Sequence, residues 1–514
     1  MSDVTLSSAE VILDRLAKTA SIAHLRNGHC PEAATMLASE LQQLEVLCTR
    51  LSQEGDAFQS LCARTANQAN IHSSLLAPVR CLPTELLAQI FELATPSDWE
   101  GHSIGTKTLA FAQACYVWRM VALGMPQLWN TIHVGAKCPK HGWKKAAMAY
   151  LQRSSVLPLA ISFDFDTRCG RHLTEDAFLH GDFWSDEAWS ALCAQAIRWK
   201  HIKLYHLPPH AMHPIGPPLS FPILESVAVG TRETGRIPLD FFDGAPNVKR
   251  LLVDYFHTPE LLVLPTSWKL SELTIMCGEG EFGYARPSLV PCLDAILACS
   301  PTLEYCHITA IGFNSGQCHF QETTFPQLQN LALVGAYHLC TFITAPNLID
   351  VRLDATCVSE NSTSLYYLDA FEALVARSSN CPKLRKLTMR HMQQTPDKLI
   401  RCLWRLPSLA TLHIVDSDGF RYPSLHALAT EDLVRALTRT PLAAGSFSLL
   451  PNLTSLSLMY NGACFVDLDE EEESDKDMRI AINKMVASRS RRFVEDGMVL
   501  RPLEHFETDC RGVS

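Results

Sequence analysis

Apolar positions in the second half of the chain repeat as one word, Pro-x-Leu-x-x-Leu-x-Leu, with any aliphatic residue allowed at the Leu positions. Clear copies begin at Pro222, Pro246, Pro326, Pro346, Pro382, Pro407 and Pro451. Looser copies begin at Trp268 and at Pro301, where Cys306 takes the middle Leu position. Alternation at the end of each word predicts a short strand with one buried face. Between many words the spacing changes to three and four, which predicts helices over 187–199, 291–299, 366–377, 397–404 and 430–440. Strand, helix and strand in that order make right-handed parallel crossovers. No single unit can bury its own apolar face, so the units must stack. The stretches 157–165 and 199–207 are expected to be earlier, less regular strands.

The first 130 residues follow a different pattern. Residues 6–64 read as helix, with Leu41, Leu44 and Leu51 on one face after the Asn27-Gly28 break. The coiled-coil or helical-hairpin pattern fits either self-association or a helix folded back onto the segment that follows from residue 74. From 74 to 134 the spacing predicts three short helices. Pro83 suits a first helical position, and Glu85 faces the positive end of that helix. Leu86, Leu87, Ile90 and Phe91 form an apolar stripe, followed after a polar loop by Cys115, Trp118 and Val121 and then by Pro126-Gln127-Leu128-Trp129. So small a unit holds more apolar surface than it can bury alone, which implies a partner.

The order Leu82-Pro83-Thr84-Glu85-Leu86 … Ile90-Phe91, Ala114-Cys115 … Trp118-Arg119 … Ala122, Pro126 … Leu128-Trp129 resembles an F-box, in the form common in basidiomycete fungal proteins. Ala114 and Val117 depart from the usual pattern. The resemblance implies docking onto the S-phase kinase-associated adaptor, and through it the cullin, of an SCF-type ubiquitin ligase. The contact residues it implies are Pro83, Leu86, Leu87, Ile90, Phe91, Cys115, Trp118, Val121 and Trp129. The repeat in turn resembles a degenerate leucine-rich-repeat horseshoe lacking the usual asparagine three residues past the last Leu, with Asn461 the one match. The expected fold is therefore α/β: N-terminal helices and a three-helix F-box, then an irregular leucine-rich-repeat solenoid whose curved parallel sheet carries outer helices. The expected divisions are 1–70 (helical), 74–134 (F-box), 135–220 (linking, with cryptic repeats), 221–462 (solenoid) and 463–514 (acidic loop and C-terminal cap).

Composition narrows the function further. Hydrophobic residues make up 47% of the 514 and charged residues 19%, as in a well-packed globular protein. A net charge of −10 gives no reason to expect nucleic acid or an anionic membrane as partner. The 19 cysteines are scattered in apolar runs and read as free thiols in a reducing compartment, the cytoplasm or nucleus. An N-terminus bearing Asp3, Glu10 and Asp14 does not read as a secretory signal. The uncharged run 323–349 is broken by prolines and asparagines and falls in phase with the repeat, so it is not read as a membrane span.

No catalytic constellation is recognisable. The 278–283 glycine run has acids where phosphate would sit, and His206, His210 and His213 are separated by prolines with no further ligand nearby. The Cys138/His141 pair and the Asp164/Asp166 pair lack partners. No metal or cofactor is expected, and the protein is not read as an enzyme. What remains is the outward face of the strands, read as Ser226/Ala228, Arg250/Leu252, Glu272/Thr274, Tyr305/His307, Asn330/Ala332, Asp350/Arg352, Lys386/Thr388, Thr411/His413 and Ser455/Ser457. Arg250, Tyr305, His307, Arg352, Lys386 and His413 are the expected anchors for an unidentified protein substrate. The competing reading is a non-catalytic repeat scaffold whose F-box-like helices no longer bind the adaptor.

Overall fold

The computed structural model describes residues 31–52, 59–76, 82–95, 112–135, 143–164, 186–205, 218–231, 239–255, 262–277, 290–310, 321–355, 367–392, 395–416, 428–439, 449–459, 468–491, 493–495 and 498–509, together with Val11, Asp14 and Pro78. The chain divides into two units, Met1–Ala194 and Gln195–Ser514, so the division falls inside the segment expected to link the F-box to the repeats.

In the first unit, helices α1 (Pro31–Ser52) and α2 (Gln59–Leu76) pack against each other as a hairpin. Leu44 of α1 is fully buried, as is His72 of α2, whose Nε2 lies 3.0 Å from a Glu40 carboxylate oxygen on α1. The pair is an intramolecular hairpin, and α2 runs on past residue 70 into the start of the expected F-box. Helix α3 (Thr84–Ala94) begins one residue later than expected, so Pro83 caps it instead of opening its first turn. The Pro83 carbonyl accepts from Leu87 N–H at 3.0 Å. Helix α4 (Tyr116–Leu123) is capped by Cys115, whose Sγ accepts from Trp118 N–H.

The last expected F-box residues belong to a strand. β1 (Thr131–Gly135) pairs in parallel with β2 (Leu159–Asp164), and helix α5 (Trp143–Arg153) connects them. Helix α6 (Asp186–Cys193) follows.

The second unit is a mixed α/β arrangement around one large parallel sheet. Its strands are β3 (Trp199–Tyr205), β4 (Ser226–Thr231), β5 (Arg250–Tyr255), β6 (Glu272–Cys277), β7 (Tyr305–Thr309), β9 (Asn330–Val334), β11 (Asp350–Asp354), β12 (Lys386–Arg390), β13 (Thr411–Val415), β14 (Ser455–Met459) and β17 (His505–Thr508), in that spatial order. Two short strands, β8 (Thr323–Thr324) and β10 (Ile343–Thr344), pair apart from it. Helices α7 (Val290–Ala298), α8 (Tyr367–Arg377), α9 (Pro396–Trp404), α10 (Glu431–Leu437) and α11 (Leu468–Arg489) lie in the connections, most within a residue or two of expectation.

Each repeat word places its apolar residues in the core. Leu224, Val248, Leu270, Leu303, Leu328, Leu348, Leu384, Leu409 and Leu453, which precede the strands, are all buried. So are the pairs that follow them, from Val227/Val229 through Cys306/Ile308 to Leu456/Leu458. The residue just before the strand donates its N–H to the equivalent carbonyl of the preceding word: Lys249 to Glu225, Ser271 to Lys249, Gln329 to Glu304, Arg385 to Ile349 and Thr454 to Ala410, at 2.8–2.9 Å.

The asparagine bridges expected to be missing are present, not three residues past the last Leu but beside the leading Pro. Asn247, Asn347 and Asn452 each follow the leading Pro, and each Nδ2 donates to the carbonyl of an earlier word's Pro: Pro222 at 2.7 Å, Pro326 at 2.7 Å and Pro407 at 3.0 Å. These bonds tie successive words together at exposed turns.

The acidic run is not a loop. Residues 469–477 form the first half of α11, where carboxylates suit the positive end of a helix. The far end of α11 is fastened by Arg489, fully buried, which donates to the carbonyls of Leu437, Leu449 and Leu450. β15 (Phe493–Glu495) and β16 (Met498–Leu500) then form a hairpin that leads into β17.

Candidate functional site

The expected adaptor-contact residues separate into two groups. Leu87 and Phe91 are buried in the first unit's own interior, and Phe91 meets Trp118 edge-on with ring centres 5.2 Å apart. Trp129 is also fully buried: its Nε1–H donates to Ala122 O at 2.7 Å, Tyr150 packs edge-on at 4.9 Å, and the Arg153 guanidinium lies 4.5 Å over its ring. These three form the core and offer no contact surface, which corrects the expectation for them. Leu86 and Ile90, by contrast, remain 44% and 42% exposed.

The stripe read along α3 is thus two stripes. Successive helical residues point about 100° apart, so Leu87 and Phe91 turn inward while Leu86 and Ile90 do not. Leu93, almost wholly exposed, continues the outer row. Exposed Tyr116 and Met120 make a similar row on α4, while Pro83 is exposed and Cys115 and Val121 are half-buried. Trp118 is half-buried, and its indole N–H is shielded from solvent with no acceptor among the described residues. Leu93, Tyr116 and Met120 were missed from sequence; the i, i+4, i+7 spacing of Leu86, Ile90 and Leu93 was the available signal.

The second surface is the sheet face opposite the buried alternation. Parallel registers set its residues in rows that cross the strands. One row runs Ser226, Arg250, Glu272, Tyr305, Asn330, Asp350, Lys386, Thr411, Ser455. A second runs Ala228, Leu252, Thr274, His307, Ala332, Arg352, Thr388, His413, Ser457 and ends on Glu507 of β17. All the expected outward pairs therefore fall in register, although Ser226, Ala228 and Ser457 retain little exposure.

The six expected anchors are not one cluster. Arg250 lies on β5, Tyr305 and His307 on β7, and Arg352, Lys386 and His413 on β11, β12 and β13. A third row was missed because the repeat word stops one residue short of the strand end: Asp254, Met276, Thr309, Val334, Asp354, Arg390, Val415, Met459.

Charges on this face are partly paired. Lys386 reaches Asp350 at 3.1 Å, and Arg352 reaches the buried Asp354 at 3.2 Å. Arg390 is half-buried, and no carboxylate pairs with it among the described residues; its Nε, like that of Arg352, is enclosed without an acceptor. His413 holds its proton less tightly than an ordinary imidazole, first because it is partly buried and then because Arg390, Lys386 and Arg352 outweigh Glu507 around it. His307 is lowered likewise, by burial and by Arg352.

No group of three potential metal ligands comes together among the described residues. Burial raises the thiols of Cys299, Cys306, Cys340 and Cys402 to about 12, so each stays protonated and unreactive. The glycine run at 278–283, the 206–213 histidines, Cys138, His141 and Asp166 lie outside the described residues. No described helix is long and apolar enough to cross a membrane. No family model matches the chain, and no curated protein matches it.

Proposed function

We propose that this chain is the substrate-receptor subunit of an SCF-type cullin–RING ubiquitin ligase, acting in the cytoplasm or nucleus. The observation behind the reading is the outer row Leu86, Ile90 and Leu93 on α3, which stays uncovered in the segment whose motif resembles an F-box. Covering the apolar area that these three side chains still expose favours association by about 25 cal/mol per Å2. The adaptor would meet this row, with Pro83, Tyr116 and Met120 at its margin. Leu87, Phe91 and Trp129 would hold the helices in place from beneath.

The second unit would be the leucine-rich-repeat solenoid, with its asparagine bridges moved to the residue after each leading Pro. Its open sheet face would hold the substrate. No chemistry is then required of this chain: holding a substrate lysine near a ubiquitin thioester raises the local concentration of the reacting groups.

The test is co-purification of adaptor and cullin with wild-type chain and with the Leu86→Asp/Ile90→Asp double variant. Both positions are exposed, so folding should survive, and adaptor recovery should fall at least tenfold. Equal recovery with the two proteins rejects the receptor reading and leaves the scaffold.

A further inference from the structure

We infer that the sheet face from β6 to β13 is a docking site for an extended segment of a partner protein that presents a bulky apolar residue followed, about six residues away, by a cluster of Asp or Glu carboxylates. This deepens the receptor reading by naming the class of substrate, and it rests on that reading only for the word substrate. The face is divided. Toward β6 and β7 it offers Met276 at 38% exposure, with half-buried Val334 two strands further along the same row, and Tyr305 at 36% exposure four residues down the strands from that row. Toward β12 and β13 it offers Arg352, Lys386, Arg390 and His413.

Register ties the two ends together. Met276, Thr309, Val334, Asp354 and Arg390 are successive partners in one row across β6, β7, β9, β11 and β12. Neighbouring strands lie about 4.8 Å apart, so four steps span about 19 Å, the reach of about six extended residues. A segment laid across the strands along this row with its apolar side chain on Met276 therefore brings its sixth neighbour to Arg390.

Charge decides what that neighbour is. Of the acids on this part of the face, Asp350 is paired with Lys386, and Asp354 with Arg352. Glu507 accepts the Ser457 hydroxyl at 3.4 Å. Arg390 has no such partner among the described residues, and the Nε–H groups of Arg390 and Arg352 are enclosed without acceptors. An uncompensated guanidinium such as that of Arg390 favours an arriving carboxylate, which its terminal N–H groups can hold through two hydrogen bonds. Glu272 and Asp254 lie toward the apolar end. They would repel acids there and so orient the segment.

The test is selection of a position-scanning decapeptide library on the immobilised full-length chain, without adaptor. Wild type should enrich a large apolar residue together with Asp or Glu four to seven positions away. Arg390→Glu should lose the acid preference or turn it toward Lys and Arg, and Met276→Asp should lose the apolar one. Lys386→Glu serves as a second reversal, and circular dichroism melting verifies that each variant is folded. Absence of acid enrichment, or the same enrichment with Arg390→Glu and Lys386→Glu, overturns the inference. So does enrichment of phosphoserine alone in a library that contains it. Adaptor recovery is scored separately: a chain that selects acidic segments without binding adaptor rejects the receptor reading alone.

Discussion

His201 and His338 are two histidines whose titration the fold alters plainly. Burial lowers His201 to about 4, helped by Arg250 and Lys200 and opposed by Glu225. Burial alone lowers His338 to about 4. An unfolded chain would protonate both near 6.5, so between 6.5 and 4 the unfolded state binds more protons than the folded one. The stabilisation is complete above about pH 6.5 and is lost as pH falls toward 4. Because both rings keep part of their solvent contact, each should contribute roughly 1 kcal/mol between pH 7.5 and pH 5. Urea unfolding at the two pH values should show that difference shrinking in His201→Gln and in His338→Gln; an unchanged difference would mean the rings titrate normally. Neither histidine stood out in the sequence, where the cluster at 206–213 attracted notice instead. A ring's proton affinity depends on neighbours brought in by the fold, and local spacing does not reveal them.

At the scale of the element, α3 is the instructive case. Leu86 and Leu87 are adjacent, chemically identical and indistinguishable by composition, yet one faces solvent and the other lies in the core. Leu87→Ala should cost about 2–4 kcal/mol through lost burial and a residual cavity, whereas Leu86→Ala should cost less than about 1 kcal/mol. Chemical denaturation of the two variants separates them, and equal losses would place both in the core. The acidic half of α11 shows the same limit from the other side. Asp469 and Glu470 to Glu473 repel one another and read as a loop by charge. The helix they join is held at its far end by Arg489 and three carbonyls that come from distant positions.

At the scale of the molecule, a parallel sheet must end somewhere, and an unpaired edge invites association. In the second unit β17 covers the edge of β14, from Ser455↔His505 to Leu458↔Thr508. It presents exposed charged positions of its own: Glu504, His505, Glu507 and Asp509. A chain stopped after Leu500 should leave the 455–459 strand bare. Size-exclusion chromatography with light scattering should then find higher-mass species than for the full chain. Unchanged mass would show that β17 is dispensable as an edge cover.

The sequence by itself determined where the strands of the repeat words lie and which of their residues alternate inward, because that alternation is a property of each strand alone and recurs in every repeat word; β1, β8, β10, β15 and β16 carry no such word and were not legible. The outward rows through Arg250, Tyr305, Arg352, Lys386 and His413 were legible for the same reason. Only the tertiary structure decided which side of α3 is covered, that Arg390 and Met276 share a row, and which acids are spent on Lys386 and Arg352. It also moved the asparagine bridges to Asn247, Asn347 and Asn452. Each of these depends on groups far apart in the chain meeting at a few ångströms, and no local periodicity records such a meeting.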